Sequence, residues 1–487
     1  MNSLSLGAET FHRFFFRLDM ATTTSSLLFL EPGTRVATAQ CKIHWTGCNA
    51  LVFNSSTLPV PFERFDYTSH NSSEKLTLQL VKAPAPLKSK GSVLFNTGGP
   101  GKDNRQDFAT LVPNLIPLTD GQYDLIAFDS RGTAGAVPLK CYEDPFQEWE
   151  AFNAQIPSNT SDNAAAELWA RGAVDAEACA AVGAKNGSVQ TSAFVARDLI
   201  SAGFSYGTTL GATVAAMFPE RMDKVILDAV QNVHEYYHAQ ANYEEWEMSD
   251  QVFSSIFTEC VKAGPELCPL AAHNKTAEEL EAAAYELLDI AKYEPIPVGQ
   301  LVVDYSAVKS IYAQALYSPR GWGGVITFSP SINSTALYYS ILFESDNALA
   351  GIYCSDNQKR TENFEDFVPA LEKLYSTSRI MGDVPVGSYA RCQQRKIKPK
   401  ETYTGSFNHV QTKNPILYVG NTFDGHTPLK SAYNVSSSFE GSVVLEMDGY
   451  GQAYWVNGTL PESGTRCTRS VQPSFKAAGV NATWING

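Results

Sequence analysis

The pentapeptide Gly203-Phe204-Ser205-Tyr206-Gly207 constrains this chain more than any other feature, because it has the Gly-x-Ser-x-Gly form of a nucleophile elbow. In such an elbow a strand turns sharply into a helix, and the glycines leave room for the strained turn that lifts the serine hydroxyl above the sheet. A short, mostly apolar stretch, Leu199–Ala202, precedes the motif, and a run of small residues over 208–217 follows it. This context favours Ser205 as a nucleophile over a chance turn of common residues.

The composition is that of a globular protein. The chain has 487 residues, 44% hydrophobic and 11% aromatic, which predicts one large α/β domain with an inserted subdomain, or two domains. A net charge of −14 argues against nucleic acid and anionic membranes as partners, because both select a basic face. No stretch approaches the roughly 18 uninterrupted apolar residues of a membrane span. We therefore expect neither a nucleic-acid partner nor a membrane span, and separately we expect a monomer.

Strand-like runs alternate with helical runs from about residue 76 onward, which predicts a mainly parallel sheet with helices on both faces. The middle of the chain differs, because it carries helical patterns such as Ala277–Tyr293 and Phe364–Ser376 and little strand signal. We therefore predict four parts: an extension over 1–40, a first core part over 41–234, a helical cap over 235–405 and a second core part over 406–487. The predicted strands are Lys75–Lys82, Ser92–Asn96, Tyr123–Phe128, Leu199–Ala202, Lys224–Asp228, Pro415–Gly420 and Ser442–Met447.

A glycine-rich loop, Asn96-Thr97-Gly98-Gly99-Pro100-Gly101, follows the second of these strands. Glycines suit a loop whose backbone must approach a substrate carbonyl. We therefore predict that Gly99 and Tyr206 donate their backbone N–H groups to an oxyanion. A phosphate-binding loop is excluded, because Asp103 stands where that motif needs Ser or Thr and Asn96 stands where it needs its first Gly.

The acid of a catalytic triad is predicted at Asp424. This residue comes after the strand Pro415–Gly420, and the chain order Ser205 then Asp424 is the order found in α/β-hydrolases. The sequence is thus consistent with hydrolysis through a serine nucleophile.

Together these segments resemble a known family, the secreted tripeptidyl aminopeptidase-like hydrolases, which are relatives of proline iminopeptidases. The resemblance covers nearly the whole chain from about Trp45. It implies an α/β-hydrolase core with an inserted helical cap and hydrolysis of amides or esters, commonly at peptide N-termini, without a metal or other cofactor. The matching segments are the Gly98–Gly101 loop, Phe128–Gly132, Pro138–Cys141, Ala196–Leu199, Gly203–Thr208, Phe218–Arg221, Val225–Asp228, Asp424 and Asn457–Pro461.

Further roles follow from the resemblance. Glu244, Glu245 and Glu247, at the start of the cap, are predicted to bind a substrate α-amino group, Glu244 and Glu245 foremost, with a solvated helix face as the alternative. Asp129 and Arg131 are expected to brace the loop near the elbow. Spacing and resemblance together favour three disulfides, and they leave Cys41, Cys48 and Cys467 without an assigned partner. The three pairs are Cys141–Cys179, Cys260–Cys268 and Cys354–Cys392.

Two departures from the family pattern affect the chemistry. Only seven residues lead from Asp198 to Ser205, which predicts a preceding helix of about two turns, Ser192 to Asp198. In addition, Gln452 stands where the family has its general-base histidine. An amide does not accept a proton near neutral pH, so Gln452 does not replace that histidine. Either the sequence omits coding segments or the protein is a decayed paralogue.

Three hypotheses about function therefore stay open. The first is an aminopeptidase that forms an acyl-enzyme on Ser205, with His426, or with His234 or His238 near the expected pocket mouth at the start of the cap, as a substitute base. The second is a hydrolase-fold protein without catalytic activity. The third is an esterase or thioesterase that acts on a small metabolite. The substrate would be a peptide or a small ester or amide.

Glycosylation sequons predict the compartment. Nine of the 25 asparagines head an Asn-x-Ser/Thr sequon, where random placement gives about three or four. The nine cysteines lack the Cys-x-x-Cys pairs of a zinc or redox site and fit an oxidising compartment. The apolar patches of the first 30 residues are short or broken by charges, so the extension is either a targeting segment or a wrongly assigned start, with Met20 as the alternative. We predict a secreted glycoprotein with sequons at Asn54, Asn71, Asn159, Asn186, Asn274, Asn333, Asn434, Asn457 and Asn481.

Overall fold

The computed structural model describes residues 15–18, 46–47, 54–61, 75–133, 136–198, 206–299, 301–317, 319–327, 346–448, 465–468 and 475. The strands are β1 (Phe15–Leu18), β2 (Thr46–Gly47), β3 (Asn54–Pro61), β4 (Lys75–Ala83), β5 (Ser92–Phe95), β6 (Asp124–Phe128), β7 (Lys224–Asp228), β8 (Ile296–Val298), β9 (Leu301–Val303), β10 (Ile416–Asn421), β11 (Val443–Asp448) and β12 (Arg466–Thr468).

The α-helices are α1 (Asn104–Leu118), α2 (Pro145–Asn153), α3 (Ala164–Gly187), α4 (Ser192–Asp198), α5 (Tyr206–Met217), α6 (Val233–His238), α7 (Ser249–Ala263), α8 (Ala277–Tyr293), α9 (Tyr305–Ala315), α10 (Trp322–Thr327), α11 (346–356), α12 (Phe364–Thr377), α13 (Val386–Gln393) and α14 (Leu429–Ser436). Among the helices of the described part of the chain, none is long and apolar enough to cross a membrane.

Ten strands form one sheet in the order β12-β11-β10-β7-β1-β5-β6-β4-β3-β2. The pairs β5–β6, β7–β10, β10–β11 and β11–β12 are parallel, whereas β2, β3 and β4 form an antiparallel edge next to β6. The predicted α/β class with helices around a largely parallel sheet is confirmed.

The burial of each strand follows from its place in the sheet. All six residues of β10 are buried, as expected for a parallel strand that helices cover on both faces. In β4, Leu76, Leu78 and Leu80 are buried while Thr77 and Gln79 are exposed. This alternation shows that the antiparallel edge packs only one face against the core.

The N-terminal extension supplies a strand that sequence patterns did not predict. Strand β1 lies between β5 and β7 and is antiparallel to both, with Phe16 opposite Leu94 on one side and Val225 on the other. The strand predicted at Leu199–Ala202 lies outside the described residues. Since buried backbone N–H and C=O groups need partners, β1 satisfies the facing edges of β5 and β7 at the centre of the sheet.

The inserted part is mainly helical, as expected. Helix α8 has the predicted bounds and begins with a capping box between Thr276 and Glu279. A short hairpin, β8–β9, was not predicted, because three-residue strands give no measurable periodicity. The three predicted disulfides are present, at Cys141–Cys179, Cys260–Cys268 and Cys354–Cys392.

Helix α4 spans Ser192 to Asp198, which confirms the predicted two turns. Its last residue is held by a buried ion pair, in which Arg131 Nε lies 2.6 Å from Asp198 Oδ2 and Arg131 Nη2 lies 2.8 Å from Asp198 Oδ1. The two side chains are 0% and 1% exposed, and the guanidinium carbon lies 4.9 Å from the centre of the Phe194 ring. This pair fixes the point where the chain leaves α4 for the elbow.

We expect Asp198→Asn to lower the free energy of unfolding by about 3–5 kcal/mol, because it leaves the buried Arg131 charge uncompensated. The matched control is Glu401→Gln, which breaks the less buried pair that Glu401 forms with the neighbouring Arg197. That change should cost about 1 kcal/mol. Urea unfolding followed by circular dichroism measures both values. Equal losses of unfolding free energy would contradict the larger contribution of the buried Arg131–Asp198 pair.

Candidate active site

One buried asparagine fixes the loop after β5. Asn104, the first residue of α1, accepts a hydrogen bond at Oδ1 from Thr97 N (2.6 Å). Its Nδ2 donates to the carbonyl oxygens of Phe95 (3.1 Å) and Phe128 (2.7 Å) at the ends of β5 and β6. Asn104 therefore ties the loop to the carboxyl ends of two parallel strands.

Glycine is required in this loop at residue 99. Gly99 has a φ of +118°, and an added Cβ would lie 2.7 Å from Gly101 N. Both the backbone angle and the close approach exclude a side chain. The loop can therefore present backbone N–H groups at short range, as the predicted oxyanion role of Gly99 requires.

The first turn of α5 lies against the same loop. A Cβ added to Gly207 would lie 3.1 Å from Asn96 Oδ1 and 3.3 Å from Asn96 O. Tyr206 is the first residue of α5, and its side chain is buried. Ser205 lies outside the described residues, directly before Tyr206. The glycine loop and the residue after the predicted nucleophile are thus neighbours, and their role as oxyanion donors stays a prediction.

Asp424 lies in a tight turn that follows β10. Its Oδ1 accepts hydrogen bonds from His426 N (3.0 Å) and Thr427 N (2.9 Å), and its Oδ2 accepts one from Thr427 Oγ1 (2.9 Å). The carboxyl ends of parallel strands meet at one edge of a sheet. Because β5, β7 and β10 run in the same direction, the turn of Asp424 and the loop of Gly99 lie at the same edge.

The two adjacent glutamates of the cap have different environments. Glu244 is buried, and both of its oxygens accept hydrogen bonds: Oε1 from Asn232 Nδ2 (3.2 Å) and Ser431 Oγ (2.7 Å), and Oε2 from Asn434 Nδ2. Lys430 Nζ lies 3.7 Å from the same carboxylate. Glu244 therefore joins the start of the cap to α14, and its carboxylate is occupied by protein donors.

Glu245 makes hydrogen bonds that differ from those of Glu244. Asn242 Nδ2 (2.9 Å) and Gln231 Nε2 (3.4 Å) both donate to its Oε2, and among the described residues Oε1 accepts no hydrogen bond. Gln231 in turn accepts a bond from Thr209 Oγ1 (2.8 Å) in the first turn of α5. Two hydrogen bonds therefore link Glu245 to the elbow helix.

Burial raises the pKa of Glu245 to about 7, although the hydrogen bonds from Asn242 and Gln231 act in the opposite direction. The negative charges of Glu235 and Asp424 contribute to the same rise. The Asp424 charge thus lies close enough to Glu245 to affect its pKa. An ionised Glu245 in this position favours a cationic ligand.

The histidines considered as substitute bases occupy two different places. His234 Nε2 lies 2.9 Å from Ser438 Oγ, and the His234 ring packs edge-on against Phe407. Ser438 and Phe407 precede β11 and β10, so this histidine lies towards the amino ends of those strands rather than at the pocket mouth, where it was expected. Burial lowers its pKa, with the neighbouring His238 as a further cause.

His426 is the one histidine of the three that lies beside Asp424. Its ring contacts Tyr317, with ring centres 3.5 Å apart, and Trp246, with ring centres 5.5 Å apart. Its Nδ1 lies 2.9 Å from Gly425 O. The ring is thus part of the junction between the Asp424 turn and the cap.

Of the other residues considered, one lies outside the described residues and two form ion pairs that stabilise the fold. Gln452 lies outside the described residues. Asp129 is buried and binds Arg105 of α1, and burial raises its pKa to about 6 against that charge. Asp129 and Arg131 thus brace the region, as expected. Within the described ranges no three His, Cys, Asp or Glu side chains could hold a metal ion.

Sequence reasoning missed Asn104 and Gln231. Gln231 comes three residues after β7, and polar residues just beyond parallel strands gather at one edge, so this signal was available. Asn104 carries no such signal, because it begins a helix and its three hydrogen bonds join segments that are distant in sequence.

Comparison with known proteins agrees with this arrangement. The family model described as alpha/beta hydrolase fold matches residues 91–257, and that of TAP-like proteins matches residues 378–459. The chain is 24% identical to serine protease Hip1 of Mycobacterium tuberculosis over 489 aligned positions, covering 87% of this chain and 91% of that protein.

Two further relatives are similar to parts or most of the chain. The tripeptidyl aminopeptidase of Streptomyces lividans is 31% identical over 159 residues, which cover 29% of each protein. The putative hydrolase YuaR of Escherichia coli is 24% identical over 442 residues, which cover 82% of each protein.

Proposed function

The chain belongs to the α/β-hydrolase family, and we propose that its site has the layout of a serine-hydrolase site for peptides with a free N-terminus, in which turnover requires a proton acceptor other than Gln452. The observation that carries this proposal is the meeting of three elements at one sheet edge: the Gly99 loop, the first turn of α5 and the Asp424 turn. Serine peptidases and a tripeptidyl aminopeptidase among its relatives support the substrate class.

In the proposed reaction, the Ser205 hydroxyl attacks a peptide carbonyl, and the N–H groups of Gly99 and Tyr206 stabilise the oxyanion. Asp424 would orient a histidine that takes the proton of Ser205. Gln452 stands at the position of that histidine and cannot take the proton, because an amide is not a base near neutral pH. With Gln452 at this position, the protein would therefore retain the oxyanion site and the acid but lack the proton acceptor.

Glu245 is the proposed partner of the substrate α-amino group. What supports this role is that its Oε1 accepts no hydrogen bond among the described residues, that burial raises its pKa to about 7, and that Gln231 links it to α5. Glu244 is unsuited to this role, because Asn232, Ser431 and Asn434 already bind both of its oxygens.

The second candidate function is a binding protein that keeps the pocket without turnover. Gln452 is the observation that favours it. This candidate and an esterase acting on a small metabolite are distinguished from the first by whether Ser205 reacts and by whether a free amine is needed.

We expect the purified chain to hydrolyse peptide and ester substrates at background, since loss of the histidine in a serine hydrolase lowers turnover by about a millionfold. The measurement compares the chain with Ser205→Ala in fluorogenic tripeptide and ester assays and in labelling by a fluorophosphonate probe. The Gln452→His variant should recover only part of the activity, because productive geometry tolerates little displacement.

A Ser205-dependent rate of a few turnovers per second, about that of an ordinary enzyme, would contradict this expectation. It would mean that another residue supplies the base. His426 would then be the first residue to replace, because it lies beside Asp424.

Binding of a free N-terminus should depend on pH through Glu245. Its raised pKa leaves the carboxyl protonated below about 7, so affinity for an α-ammonium group should rise about tenfold or more between pH 5.5 and 7.5 and fall again as the α-amine loses its proton near pH 8. Calorimetric titration with alanyl-alanyl-alanine amide measures this rise, and the N-acetylated peptide should bind weakly at every pH.

Glu245→Gln should abolish the rise below pH 7 and weaken binding. The matched control is Glu247→Gln, since Glu247 is exposed and pairs with Lys430. An unchanged pH profile in Glu245→Gln, or equal binding of the acetylated peptide, would remove Glu245 from the proposal.

We also propose that the protein is secreted and glycosylated, supported by the nine sequons and by the three disulfides. Asn274 is exposed after a short 3-10 helix, Pro269–His273, so its side chain is accessible. Asn434 lies in α14 with its Nδ2 bound to Glu244.

Expression in a secreting eukaryotic host should therefore give a glycan on Asn274 and little or none on Asn434. Peptide mapping by mass spectrometry after glycosidase treatment in ¹⁸O water reports the occupancy of each site. High occupancy at Asn434 would show that the Glu244 contact forms after modification or not at all.

A further inference from the structure

Asp356 is a buried carboxyl group that the proposed chemistry does not use. It is the last helical residue of α11, in the inserted part, and it is 0% exposed. Its Oδ1 accepts a hydrogen bond from Ser192 N (2.8 Å), and its Oδ2 accepts bonds from Ser192 Oγ (2.6 Å) and Tyr236 OH (3.1 Å). Both oxygens are therefore directed at the first residue of α4.

The same serine continues the chain of contacts to the elbow helix. Ser192 Oγ lies 2.6 Å from the hydroxyl of Tyr206, which is 1% exposed and begins α5. A carboxylate only accepts hydrogen bonds, so in that form of Asp356 the Ser192 hydroxyl donates to it and the Tyr206 hydroxyl donates to Ser192. The negative charge of Asp356 thus sets the direction of hydrogen-bond donation, which runs from Tyr206 to Ser192 and from Ser192 to Asp356.

Contacts of the neighbouring residues hold Asp356 in place. Cys354, two residues before Asp356, forms a disulfide with Cys392 of α13. The next residue, Asn357, donates from Nδ2 to Tyr236 O (2.7 Å) and Ala239 O (2.9 Å) around the end of α6. Asp356 is therefore fixed by covalent and polar contacts on both sides.

The burial of these groups decides what kind of role is open to them. Asp356, Ser192 and the Tyr206 side chain are all buried and so do not touch a substrate. The backbone N–H of Tyr206, however, is a predicted oxyanion donor, and donors of this kind must be held within a fraction of an ångström to be effective.

We propose that Asp356 is a positioning residue for the elbow, which acts through Ser192 to hold Tyr206 and with it the first turn of α5. This rests on the proposed function insofar as Tyr206 is an oxyanion donor. The inserted part would then not only cover the site but also set the position of a catalytic backbone group in the core.

The test is hydrogen–deuterium exchange on the full chain at pH 8, above the value of about 7 to which burial raises the pKa of Asp356, so that the carboxylate dominates. Asp356→Asn and Tyr206→Phe should each speed exchange in the first turn of α5 by about tenfold, the effect of one lost buried hydrogen bond. The double variant should exchange no faster than either single variant.

In a Ser192→Ala background, Asp356→Asn and Tyr206→Phe should have no further effect on α5. This dependence on Ser192 separates a relay of contacts from general loosening. Additive effects of the two substitutions, or effects that persist in Ser192→Ala, would overturn the proposal.

Asp383→Asn is the matched control, because Asp383 is another buried aspartate of the inserted part and binds Lys309 (3.0 Å) and Tyr305 (2.8 Å) of α9. It should speed exchange in α9 and leave α5 unchanged. An equal response of α5 in this control, or no response in Asp356→Asn, would contradict the relay. Should Asp356→Asn not fold, the two hydroxyl deletions carry the same test.

The exchange measurement needs no turnover, so its result tests the role of Asp356 independently of the proposed function. If α5 responds as expected but Ser205 is not labelled by the fluorophosphonate probe, the relay stands and the catalytic proposal does not. If Ser205 is labelled and α5 does not respond, the reverse holds.

Discussion

The arrangement of the site depends on a helix of two turns that is held at both ends. Asp356 binds the first residue of α4, Ser192, and Arg131 binds the last, Asp198. Six residues separate Asp198 from Ser205 in the sequence, so the end of α4 lies close to the predicted elbow along the chain. A buried ion pair repays its desolvation only when its geometry is good and its hydrogen bonds are satisfied, and the bidentate contact of Arg131 meets that condition.

The inserted part is joined to the core at the places where the site is built. Ser249 Oγ, at the start of α7, donates to Gly425 O (2.6 Å) beside Asp424, and Trp246 packs edge-on against His426. Glu244 binds α14 through Ser431. The hydrogen bonds of Ser249 and Glu244, like those of Asp356, satisfy polar groups across the boundary between two parts of the chain. Loosening the cap should therefore disturb the Asp424 turn.

Much of the fold was predictable because its signals are local. Buried parallel strands read as β-branched and leucine runs, and the length of α4 followed from counting residues before the elbow. Strand β1 was not predictable, because four residues interrupted by Arg17 carry no period, and its pairing is with strands far along the chain. The place of His234 was missed for a related reason: its sequence position marks the start of the cap but does not say towards which end of the sheet the chain turns. The different environments of Glu244 and Glu245 depend on long-range hydrogen bonds that adjacent positions in sequence cannot reveal.

The predicted replacement of the triad histidine by Gln452 would separate two properties that active enzymes combine. Catalysis requires interactions that are stronger in the transition state than in the ground state, and the proton acceptor is one of these. Asn104 holds the Gly99 loop, Thr427 holds Asp424, and Asn242 holds the Glu245 carboxylate. None of these three hydrogen bonds involves residue 452. Ground-state recognition of a peptide N-terminus would therefore survive the replacement that removes turnover. On the proposed function, affinity for a free amine, rather than rate, is therefore the property that reports on the site.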